Sequence, residues 1–212
     1  KGLPELPALS LTSAFDADFY RTQVVGATEL SAQDLYLHYL SEGALRGLSP
    51  SEAAALERLW GFSVFPEEFD WEGFAVYTGL SADPAKRVQV LRRFIETPGI
   101  ERIRFVSASQ GAHLLAFIAT RASQLQGCTD EVKALFEAGL KLGGEPGAFH
   151  HQLGDLAMRQ DRPGEALVHF RKALQSASPD RWSYLHAAQL LVEQGDYASA
   201  LAILSDGEEQ WQ

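Results

Sequence analysis

The chain has 212 residues, 46% hydrophobic and 22% charged, an ordinary composition for a folded protein with a core of its own. Its 18 basic and 28 acidic residues give a formal net charge of −10, and the basic pairs Arg92-Arg93 and Arg171-Lys172 are isolated, so nucleic acid is not an expected partner. The single cysteine, Cys128, excludes an internal disulfide and fits a reducing, cytoplasmic setting, and no apolar run approaches the ~18 residues of a membrane span.

The first residue is Lys1 rather than Met and no signal peptide is visible, which reads as a domain cut from a longer protein. The first element is "FDADFYRTQ" (15–23), where Asp16 is placed to cap a helix, with Phe15 and Phe19 as an apolar staple across the cap. "LYLHYLSEGALRGLSP" (35–50) follows, with Leu35, Tyr36, Tyr39 and Leu40 on one helical face and Gly43 and Gly47 marking a turn. His38 lacks a visible catalytic partner and is expected to hydrogen-bond backbone at the Gly43 turn.

These two stretches resemble a module of bacterial polysaccharide-related glycosyltransferases, FDxxYY followed by HYLxxGxxxGxxP. Phe15, Asp16, Phe19 and Tyr20 match the first element, and His38, Tyr39, Leu40, Gly43, Gly47 and Pro50 match the second. The second FDxxxY expected soon after the proline comes late here, as "FDWEGF" (69–74). The resemblance covers residues 15–50 and implies a glycan-assembly context without naming a catalytic residue.

Ser51 and "EAAALERLW" start another helix after Pro50. Glu67, Glu68, Asp70 and Glu72 beside Phe69 and Trp71 read as a solvated acidic loop. "FAVYTGL" (74–80) is strand-like, "DPAKRVQVLRRFIE" (83–96) is an amphipathic helix ended by Pro98-Gly99, and "RIRFVS" (102–107) is again strand-like. Ser107-Ala108-Ser109-Gln110-Gly111 then imitates a nucleophile elbow, which would make Ser109 the nucleophile of a small hydrolase. The motif opens on serine rather than glycine and helical repeats follow it, so Ser109 is expected to cap the next helix instead.

From about His113 the sequence repeats with a period of 34. Gly127, Asp161 and Gly195 align, as do Val132, Ala166 and Ala200, then Phe136, Phe170 and Leu204, and also Ala119, Leu153 and Ala187. Gly154, Ala166, Phe170 and Ala173 in the middle unit, and Tyr184, Gly195, Tyr197 and Ala200 in the last, resemble the tetratricopeptide repeat. Small residues would let paired helices approach, and Phe170 and Leu204 would fill the space between pairs. Pro179 is placed to stop the second helix of the middle unit. Within the first unit, Leu114, Leu115, Phe117, Ile118 and Leu125 are core or groove residues.

The expected fold is all-α: an α-solenoid of antiparallel helix pairs over residues 101–212, with a helical N-terminal module over residues 1–100. In tetratricopeptide arrays the first helices line the concave face, which implies a partner-binding groove of Arg121, His151, Asp155, Arg159, Trp182, His186 and Gln189, flanked by Gln124, Gln152, Met158 and Glu193. His150 and His151 are adjacent, so their side chains point about 100° apart and are not expected to share a metal. Cys128 has no basic neighbour, no phosphate-binding glycine loop occurs, and neither cofactor nor metal is expected. The resulting reading is a non-catalytic scaffold that holds a protein or peptide partner or an attached catalytic domain. The alternatives are an acceptor-binding accessory domain of a larger glycosyltransferase, or a small serine hydrolase using Ser109.

Overall fold

The computed structural model describes residues 15–97 and 99–210. They divide into two compact units, residues 15–67 with 71–93 and residues 68–70 with 94–210. Among the described residues strand-type pairing is confined to one isolated bridge between Phe69 and Val106. The fold is all-α.

The first unit carries α1 (Ala17–Arg21), α2 (Ala32–His38), α3 (Glu52–Trp60), α4 (Trp71–Thr78) and residues 87–93 of α5 (Arg87–Glu96). Asp16 caps α1 by accepting from the backbone N–H groups of Asp18 and Phe19, as its position predicts. The staple across that cap differs from the expected one: Phe15 packs on Tyr20, with ring centroids 5.3 Å apart, because Tyr20 lies one turn in from the cap. Ser51 caps α3.

A five-residue π-turn, Tyr39–Gly43, continues α2 and shifts the helical phase. Leu35 is therefore buried while Leu40, expected on the same face, is exposed. His38 also departs from expectation: its Nδ1 meets the Tyr20 hydroxyl at 2.8 Å rather than the Gly43 backbone. Gly43 is what admits that hydroxyl, since a Cβ there would lie 1.9 Å from it. Burial raises the Tyr20 pKa, with Arg46 opposing. A bidentate ion pair from Arg87 to Glu52, at 2.5 and 2.6 Å, ties α5 to α3, and its hydrogen bonding raises the Arg87 pKa further.

"FAVYTGL" and "RIRFVS" are not strands. Residues 71–78 form α4, and Ile100–Phe105 is a 3₁₀ segment. Short apolar runs carry no period that separates strand from helix.

The second unit is an α-solenoid of α6 (Gly111–Gln126), α7 (Asp130–Lys141), α8 (Pro146–Arg159), α9 (Pro163–Leu174), α10 (Arg181–Glu193) and α11 (Tyr197–Gln210). Each helix packs on the one before and the one after it in sequence. The 34-residue register is visible in the hydrogen bonds of the inter-helix turns. Asp161 N–H donates to Met158 at 3.0 Å and Arg162 N–H to Ala157 at 2.9 Å; 34 residues later Gly195 donates to Val192 at 2.9 Å and Asp196 to Leu191 at 2.8 Å. Such closure puts the turn residue in the left-handed region, with φ +57° at Asp161 and +80° at Gly195.

The aligned core positions are equivalent. Val132, Ala166 and Ala200 are buried, as are Ala119, Leu153 and Ala187. Phe136 and Phe170 are buried too, whereas Leu204 in the same register is 39% exposed, because no described helix pair packs beyond α11. In the first unit of the repeat Leu114, Leu115 and Ile118 are core, and Phe117 and Leu125 are exposed. Helix α9 ends at Leu174, ahead of Pro179, so the proline is not what stops it.

Candidate functional site

Helices α8 and α10 bring four of the sequence-predicted site residues together. His151 and Asp155 are one turn apart on α8, and His186 faces them from α10. His151 Nε2 lies 3.6 Å from one Asp155 carboxylate oxygen, and His186 Nδ1 lies 3.2 Å from the other. The two imidazoles stack, with centroids 5.7 Å apart and planes 17° apart. The Trp182 ring, 6.4 Å from that of His186, is 58% exposed.

His151 departs from the expectation of an open groove side chain. It is buried, with its Nδ1 2.9 Å from the Ser183 hydroxyl and its ring against Phe170 at 5.8 Å. Ser183 is fully buried and is the residue that sequence reasoning missed. It stands where Phe149 stands one repeat earlier, so the register offers no signal for a polar role.

Of the remaining predicted residues, Arg159 adjoins this cluster through Asp155, and Arg121 and Gln189 make contacts along their own helices. Arg159 and Asp155 line a cavity of about 30 Å³ with Gln124, Gln152, Ser123 and Phe136. Arg121 donates to Gln124 at 3.0 Å and Gln189 to Glu193 at 3.0 Å, each along its own helix. Ser109 sits in a turn and does not cap α6; Gln110 occupies the cap position without a side-chain hydrogen bond. The elbow geometry needs a strand leading into the turn, and a 3₁₀ segment occupies that place.

A second histidine pair joins α8 to α9. His150 Nδ1 and His169 Nδ1 are 3.2 Å apart, and His169 Nε2 is 4.0 Å from Glu165. Glu165 is itself held by an ion pair with Lys133, which lowers its pKa. Burial and then Lys172 lower the His150 pKa; burial and then the His150 partner lower that of His169 to about 4. The unfolded chain takes up these protons near pH 6.5. The His169 contribution to stability is therefore complete above about 6.5 and falls as pH drops towards 4, because at that position only the unfolded state is protonated in between; the lowered His150 pKa acts in the same direction. His169→Gln is expected to lose less melting temperature than the parent between pH 7 and pH 5. Equal losses in a calorimetric scan would show that the pair contributes nothing.

Residues 157–210 match the family described as Tetratricopeptide repeat. The matched stretch begins near the end of α8 and covers α9, α10 and α11. No curated protein and no solved structure matches the chain. The matched stretch thus contributes His186, Trp182 and Ser183 to the cluster, while His151 and Asp155 lie just before it. Among the described residues no helix is long and apolar enough to cross a membrane.

Proposed function

We propose that the chain is a non-catalytic protein-interaction module whose partner seats on the first helices of the repeats, α6, α8 and α10. Trp182 carries this reading. It opens α10, is 58% exposed, and stands beside the His186–Asp155 cluster, while Tyr184, Ala187 and Ala188 on the same helix fill the core. A tryptophan left open next to fixed polar groups has the character of an interface anchor, offering large apolar contact at low entropic cost. Arg121, Arg159 and Gln189 would add orientation around it, and His151 and Asp155 would fix His186 in place. The net charge of −10 favours basic partners, whose association would slow with added salt.

The finer reading is a place in bacterial glycan or polysaccharide assembly. A chain made of an N-terminal module, residues 1–100, and repeats, residues 101–212, would there hold a protein or peptide partner or an attached catalytic domain, in the cytoplasm. Its support is that the motif residues Phe15, Tyr20, His38, Tyr39 and Gly43 interlock in one aromatic and hydrogen-bonded cluster.

Peptides selected against the immobilised chain from a random display library test the binding face. Trp182→Ala is expected to weaken the selected peptides by about 2 kcal/mol or more with helix content unchanged. Peptides that bind the variant and the parent equally would place the site elsewhere. Unfolding of the variant would make Trp182 a core residue and remove the reading's support.

A further inference from the structure

We propose that His151, Asp155 and His186 form a site for a divalent transition-metal ion of the zinc class, held between α8 and α10. One ligand-type atom from each residue lies within 4.8 Å of the other two; His186 Nδ1 is 3.2 Å from one Asp155 oxygen and His151 Nε2 is 3.6 Å from the other. A tetrahedral ion with metal–ligand bonds of 2.0–2.1 Å has edges of about 3.3 Å, so small side-chain rotations close the set. Two imidazoles and one carboxylate are a donor set that zinc-class ions favour over calcium or magnesium.

Two details of the hydrogen bonding support an ion rather than a simple polar cluster. His186 Nδ1 is buried and has no hydrogen-bond partner, although a carboxylate oxygen of Asp155 is only 3.2 Å away. The two atoms adjoin without the alignment of donor and acceptor, as two ligands of one ion do. His151 is held from behind: its Nδ1 lies 2.9 Å from the buried Ser183 hydroxyl, and the tautomer that donates there leaves Nε2, 3.6 Å from the carboxylate, free to ligate an ion. That is the supporting contact a metal-bound histidine requires.

The adjacent pair His150-His151 does not build this site. His150 turns to His169 on α9, and the second imidazole comes from α10. Three protein ligands leave coordination open for water or for a donor group on a bound molecule. The side chains of Asp155 and His186 are 27% and 34% exposed, which gives an ion a way in.

Titration of the chelator-treated full chain with zinc chloride alone, followed by calorimetry, tests the proposal. One zinc per chain is expected, with a rise in melting temperature on loading. Asp155→Asn and His186→Ala are each expected to weaken binding at least tenfold, and Ser183→Ala several-fold although it removes no ligand. His169→Gln is expected to leave zinc affinity unchanged, which separates this site from the other histidine pair. Cobalt(II) in place of zinc is expected to give the strong visible absorption of a four-coordinate ion, lost in His186→Ala. Failure of the parent to bind zinc would overturn the site. So would binding that survives His186→Ala, or that depends on His169; because His186 is partly exposed, its variant keeps the test decisive even where a change at buried His151 unfolds the chain.

Discussion

Phe170→Ala is expected to cost about 3–5 kcal/mol. The ring is fully buried in the cluster of Ala157, Ala166, Ala187, Leu190 and Leu191. Its fit is close enough that a Cβ at Gly154 would stand 2.5–2.8 Å from three of its carbon atoms. It also backs the candidate site, with His186 edge-on at 5.1 Å and His151 at 5.8 Å. The helices around it are joined to one another by the turns and cannot close fully over the gap, so both transfer and cavity terms apply. Urea titration followed by circular dichroism gives the number. A loss below about 1 kcal/mol would show that neighbouring side chains fill the space and that Phe170 does not join the helix pairs.

Gly43→Ala is expected to destabilise the first unit by about 3 kcal/mol, at the upper end for one added methyl. The new Cβ would fall 1.9 Å from the Tyr20 hydroxyl and 3.0 Å from the ring carbon that bears it. Tyr20 cannot move aside easily, being fully buried between Phe15 and Tyr39 and bonded to His38. Tyr20→Phe alone is expected to cost about 1 kcal/mol, the value of the lost hydrogen bond. The two changes together should cost less than their sum by roughly 1–2 kcal/mol, because the phenylalanine vacates the position the methyl needs. Strict additivity in the double-mutant cycle would mean that Gly43 is needed for the backbone of the π-turn and not for the tyrosine.

The repeat architecture was legible because its signals are local and periodic. Gly127, Asp161 and Gly195 align in the sequence, and all three have positive φ in the structure. Ala166 and Ala200 align and are both buried. The site was legible only in part. The register pointed to the first helices and so to His151, Asp155, Trp182 and His186. It could not show that they converge, because His151 has Ser183 and His186 as neighbours 32 and 35 residues along, on either side of the repeat length. That pairing depends on how α8 and α10 are turned about their axes. At Ser109 the local cap signal failed because the helix begins later, and at Leu40 the π-turn broke the 3.6-residue phase.

Packing mainly between sequence neighbours has a kinetic side. In the second unit each helix meets its main partners within about one repeat of chain, so little loop-closure entropy is spent before contacts form. Folding can begin at any helix pair and spread, and opening can begin at an end without disrupting the middle. Helix α11 buries little beyond Ala200 and Gly207 and rests mainly on α10, whereas α8 and α9 are covered on both sides. Opening energies therefore rise from α11 towards the centre of the solenoid. The surface around Asp155 lies in the part that opens last, so a ligand there meets a preformed platform and gives up little binding energy to order it.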